Sequence, residues 1–111
     1  MPLTKTFKET VAERASTDQD FRLALLTEGI DLLFSGDLAT GKVVLRDYVN
    51  ATIGFEKLAA ATGIGAKSLM RMLGPDGNPY AENLLKVIEA LLAHEGVELA
   101  VEAVKTEERV A

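Results

Sequence analysis

Cysteine and tryptophan are absent from this chain of 111 residues, and histidine occurs once, as His94. Without cysteine there is no disulfide, no thiolate metal site and no cysteine nucleophile, an inventory that suits a reducing cytoplasm. His94 has no cysteine or carboxylate–histidine set beside it to specify a metal. A catalytic triad cannot be read from one distant histidine. No G-x-x-x-x-G-K-[ST] phosphate loop occurs, and Glu95 and Glu98 read as ordinary surface acids. The expectation is a protein that is not an enzyme and carries no cofactor. No apolar run approaches the roughly 18 residues of a membrane span, and the first residues lack the apolar centre of a signal peptide.

What is present describes one globular unit. The apolar fraction of 48 % separates the chain from disordered proteins, and its length suits a single core. With two tyrosines and four phenylalanines as the only aromatics, that core is expected to be mostly Leu, Val, Ile, Ala and Met. The net charge of −5 argues against a general nucleic-acid binder. Its distribution matters more. Residues 1–36 carry four basic and six acidic side chains, residues 94–111 two and five, and residues 37–93 six of each. The acidity belongs to the flanks, which suit a basic protein partner as well as solvent.

Taken in order, residues 1–16 read as a flexible polar segment. Residues 17–36 form a helix for core or dimer packing, capped by Thr17 or Asp18 and closed by Ser35 and Gly36. Phe21, Leu25, Ile30, Leu32 and Leu33 give it a broad apolar face. Asp37 or Thr40 starts the next helix, which Gly54 breaks. GPDGNP, residues 74–79, is the densest cluster of turn formers, with Asn78 placed to cap a helix that Pro79 begins. That helix, from Tyr80 to Ala93, is amphipathic through Leu84, Leu85, Val87, Ile88, Leu91 and Leu92. In VELAVEAV, residues 97–104, the period changes to two and favours a strand. Segment 94–104 is therefore expected to be a C-terminal dimerisation strand whose mate comes from a second copy, with a continued short helix as the alternative. Residues 105–111 read as a flexible tail.

Residues 37–93 are organised around FEKLAAATGIGAKSLMRML, residues 55–73, which reads as two short helices joined at Gly63. Leu58, Ala59, Thr62, Ile64, Leu69 and Met72 form its apolar set. In a helix-turn-helix the second helix enters the DNA major groove; an ordinary helical hairpin is the alternative. On the DNA reading, Lys67, Ser68 and Arg71 lie off the Leu69–Met72 anchor and are the principal contact candidates. Gly65 and Ala66 open that helix and leave its first amides accessible. Lys57 is a phosphate clamp with Glu56 beside it. Lys42 and Arg46, four apart, approach the backbone from the flank or pair with Asp47. Asn78 is a loop donor to phosphate if it does not cap.

LRDYVNATIGFEKLAAATGI (45–64), KSLMRMLGPDGNP (67–79) and NLLKVIEAL (83–91) resemble the addiction-module antidotes, small HigA-like antitoxins of the lambda-repressor-like (XRE-type) helix-turn-helix class. The resemblance covers roughly residues 20–101. It implies an all-α lambda-repressor-like bundle, here with an additional N-terminal helix and the candidate short C-terminal β-strand. It implies further a homodimeric repressor on a double-stranded DNA operator, with Lys67, Ser68 and Arg71 as recognition-helix contacts. Some relatives neutralise a small RelE- or HigB-like ribonuclease toxin, which is then the implied protein partner. The family often opens its recognition helix with Ser-Arg, where this chain has Gly65-Ala66. The alternative function is a protein-interaction module that keeps the fold with little specific DNA binding.

Overall fold

The computed structural model describes residues 6–106, and over these the chain is all-helical. The helices are α1 (Phe7–Ala15), α2 (Gln19–Phe34), α3 (Leu38–Ala51), α4 (Phe55–Thr62), α5 (Ala66–Met72) and α6 (Ala81–Glu95). None of them is long and apolar enough to cross a membrane.

Local chemistry sets the helix starts. The Thr6 hydroxyl accepts from the Glu9 N–H at 3.1 Å while the Glu9 carboxylate accepts from the Thr6 N–H at 3.0 Å. This reciprocal cap satisfies two otherwise orphaned donors. Asp18 and Asp37 cap α2 and α3 by accepting from the backbone N–H of Phe21 and Thr40. The flexible segment expected over 1–16 is thus corrected for residues 7–15, which form a capped helix with Val11 and Ala15 buried. Two inward positions in a polar stretch make too sparse a stripe to stand out by periodicity. Residues 1–5 of that segment, and 107–111 of the tail, lie outside the described residues.

The largest helix interface joins α2 to α3, and small residues let the two approach closely. A Cβ on Gly29 would stand 2.9 Å from Leu45 Cδ2, and one on Gly41 only 2.7 Å from Leu33 Cδ2. Leu26, Ile30, Leu45 and Val49 from this pair meet Leu58, Leu69, Leu73, Val87 and Leu91 in one core that spans α2 to α6. At ~25 cal/mol per Å² of apolar surface, each buried leucine contributes roughly 2 kcal/mol before its ordering entropy is counted.

The expected C-terminal strand is not formed within the single chain. No strand occurs among the described residues. Gly96 ends α6 in the left-handed region at φ 71°, and the Val97 N–H folds back to donate to Leu92 O at 3.1 Å. From there to Lys105 the chain has neither helix, turn nor bend. Alternation makes a segment fit to be a strand, but only a hydrogen-bonded mate makes it one.

Candidate nucleic-acid interface

The pair α4–α5 is held by its apolar anchors and by a locked turn. Leu58, Leu69 and Leu73 are fully buried, with Ala59, Ile64 and Met72 packed part-buried against the same core. Gly63 ends α4 at φ 77°, where a side chain would be strained, and its N–H donates to Ala59 O at 2.9 Å. The Thr62 hydroxyl donates to Leu58 O at 2.9 Å and accepts from the Ile64 N–H at 3.2 Å, which fixes the direction in which α5 leaves.

With Leu69 and Leu73 turned inward, 3.6 residues per turn aims Lys67 and Arg71 away from the core, and both are exposed. Ser68 lies part-buried at one edge of this face, and Met70, 46 % exposed, at the other. Gly65 is the N-cap of α5 without a side-chain cap, and Ala66 is its first residue. Lys57 is exposed in the first turn of α4 beside the equally exposed Glu56. Among the described residues, the side chains of Lys57, Lys67, Ser68 and Arg71 have no hydrogen bond or ion pair.

Three other expected contacts are placed differently. Lys42 is 4 % exposed, and its Nζ donates to Gly74 O at 3.0 Å and to Gly77 O at 2.6 Å. The reason is that the turn at 74–77 presents two carbonyls inward, which must be satisfied, and an ammonium on a long apolar stem does so. Lys42 therefore clamps the loop and is not a phosphate contact. Arg46, one turn on, is part-buried along a groove of about 490 Å³ between α1 and α3, lined also by Phe7 and Asp47. That groove includes no residue of α4 or α5. Asn78 is exposed but does not cap α6: Tyr80 is the N-cap, extended at φ −65° and ψ 148°, with no side-chain cap bond. The clamped turn ends at Gly77, whose N–H donates to Gly74 O at 3.1 Å, and residues 78–80 are spent in crossing to α6.

The same turn brings Asn78 to the open face. Ser68, Arg71 and Asn78 share a recess of about 370 Å³ with Asp76, Tyr80 and Asn83. Tyr80 is 80 % exposed. Tyr80 and Asn83 were not among the sequence candidates, because a helix start reads as capping chemistry until the fold shows which side faces α5. The loop tolerates little change at its closest point: a Cβ on Gly77 would run into the backbone carbonyls of Arg71 and Met72.

A second polar cluster is built on the buried Glu95 and corrects the reading of that residue as a surface acid. Its carboxylate, 2 % exposed, accepts from Arg22 Nε at 2.9 Å and from the Tyr48 hydroxyl at 2.6 Å. Gln19 Nε2 donates to it at 3.3 Å and to the Glu95 carbonyl at 3.1 Å. Arg22 also donates to Ala15 O at 2.8 Å, so the cluster joins the ends of α1 and α6 to α2 and α3. Burial by itself raises the Glu95 pKa, but the hydrogen bonds from Arg22, Tyr48 and Gln19 outweigh it and hold the carboxyl below its ordinary value. Burial, followed by the bond to Glu95, pushes the Tyr48 hydroxyl well up. No group of three or more metal-ligating acidic, histidine or cysteine side chains is found among the described residues.

Comparison of the chain with protein-family models, with curated proteins and with solved structures gives no match.

Proposed function

We propose that the chain is a sequence-specific DNA-binding regulator, a dimeric repressor in which α4 and α5 form a lambda-repressor-like helix-turn-helix and α5 enters the major groove of an operator. The observation that carries the reading is the opposition of two faces on α5. Leu69 and Leu73 are fully buried, while Lys67 and Arg71 project outward without a partner among the described residues. A helix anchored this way presents cations and a hydroxyl to an anionic, hydrogen-bonding surface at little cost in reorganisation. Ser68, Asn78 and Asn83 add neutral donors and acceptors beside Arg71. In the antitoxin form of this proposal, the acidic flanks serve a small basic toxin of the RelE or HigB kind.

A second reading is favoured by the positions of Lys42 and Arg46. With Lys42 buried, the surface near α5 has fewer cations for phosphate than its sequence suggests. A protein-interaction module that keeps the fold and binds DNA weakly has that character. Fluorescence anisotropy decides between them, using the chain's own upstream DNA and a scrambled duplex at two salt concentrations. The repressor reading expects tighter binding to the native duplex, weakened by salt and by Lys67→Ala and Arg71→Ala. Equal weak binding to both duplexes, insensitive to these changes, refutes it and supports the interaction module.

A further inference from the structure

Beyond α6 the chain offers a surface that its own fold leaves unused. Among the described residues, no backbone hydrogen bond uses the N–H or C=O of residues 98–104. Val101 is 89 % exposed, and Phe34, which borders the same groove over α2, is 76 % exposed. Leu99 bridges this groove to a second one along α6, where Leu85 is also exposed. A row of free backbone groups beside a solvated apolar band is the state of an edge strand before its mate is added.

We propose that residues 98–104 pair antiparallel with the same segment of a second copy, across a two-fold axis at Val101. The inference rests on the dimer of the preceding reading and does not require DNA binding. A second copy is the occupant because, among the registers that pair this segment with itself, one avoids both opposed acids and a committed amide. Centring on Ala103 would set Glu98 opposite Glu108 and Leu99 opposite Glu107. A two-fold axis normal to the ribbon sets one residue opposite its own copy, so that Leu99, Val101 and Ala103 share a face in both chains. Centring on Ala100 would set Glu98 opposite Glu102, and centring on Glu102 would set it against its own copy. Like charges directly opposed are destabilising. Centring on Leu99 would draw in Val97, whose N–H already donates to Leu92 O. Centring on Val101 opposes Glu98 to Val104, Leu99 to Ala103 and Ala100 to Glu102, with no acid facing an acid and no committed amide.

The absence of cysteine makes single-cysteine variants clean reporters. Wild-type protein is expected to sediment at twice the 11.9 kDa of one chain. On oxidation, Val101→Cys should become mostly disulfide-linked dimer. Leu99→Cys and Ala103→Cys should each stay unlinked, because each lies about 14 Å along the ribbon from its own copy. Mixed under reduction and then oxidised, those two should cross-link to one another. Val101→Lys should halve the sedimenting mass without loss of helical circular dichroism, since that side chain is exposed in the single chain. A monomer at tens of micromolar, an assembly larger than a dimer, or a dimer in which Leu99→Cys links as well as Val101→Cys overturns the proposal. Anisotropy on the same samples keeps the readings apart: cross-linked dimer without specific DNA binding retains this pairing and refutes the repressor, and specific binding by a monomer does the reverse.

Discussion

The cluster around Glu95 and the outer face of α5 are both polar and both contain a guanidinium, yet they are built in opposite ways. The Glu95 carboxylate is shielded from solvent, with Gln19 and Arg22 at its rim, and each group meets a partner. The carboxylate takes bonds from three side chains, and Arg22 and Gln19 each spend a further donor on a carbonyl. On α5, Lys67 and Arg71 stand in water with none among the described residues. Burying an unpaired charge costs several kcal/mol, so an interior carboxylate persists only where its partners are built with it. An exposed cation has no such penalty and loses little by remaining free. The first arrangement holds the helices together, and the second is available to something from outside.

The largest test of that contrast is Glu95→Gln, which keeps the shape and removes the charge that Arg22 and Tyr48 serve. It should lower unfolding free energy by about 2–4 kcal/mol in urea titrations. The difference should depend on pH. Because the folded-state pKa of Glu95 lies below its ordinary 4.5, its contribution is complete above that value and is lost as pH falls through the folded value. The gap between wild type and Glu95→Gln should thus be widest near neutrality and shrink as pH is lowered past 4.5; a gap unchanged down to acid unfolding would contradict the ion pair. Lys42→Met keeps the apolar stem but leaves the Gly77 carbonyl without its donor and the Gly74 carbonyl with the Gly77 N–H alone, an expected loss of about 1.5–3 kcal/mol. If the loop positions Asn78 for binding, this variant also weakens DNA affinity while Lys67 and Arg71 are intact. Arg71→Ala should cost about 1–2 kcal/mol in binding to the upstream duplex. The smallest effect is the most diagnostic: Lys67→Ala should change stability by no more than about 0.5 kcal/mol, and a larger loss would place Lys67 among the structural cations.

Much of the helical framework was legible in the chain. A cap at Thr17 or Asp18, another at Asp37 or Thr40, the break at Gly54 and the turn at Gly63 each rest on contacts within a few residues, and the structure selects Asp18 and Asp37. Leu58 and Leu69 followed from periodicity for the same reason. What escaped reading depended on partners far along the chain. Lys42 meets a loop more than thirty residues away, and Glu95 meets Arg22 across 73 positions. Neither side chain carries a local mark that it will be buried, since Lys and Glu are ordinarily at the surface. The helix α1 was hidden for a milder reason: its cap is local, but its burial depends on α2 and α3 coming together beside it.

By itself, then, the sequence determined most of the turns, the helices from α2 to α6 and much of their apolar set, because caps, glycines and a 3.6-residue period act over one or two turns. Only the tertiary structure decided which charges are buried and which are free. That choice turns on whether a distant carbonyl or guanidinium arrives to offset desolvation. It sorted Lys42 from Lys67, two lysines alike in sequence, into a clamp on a loop and an open cation on α5.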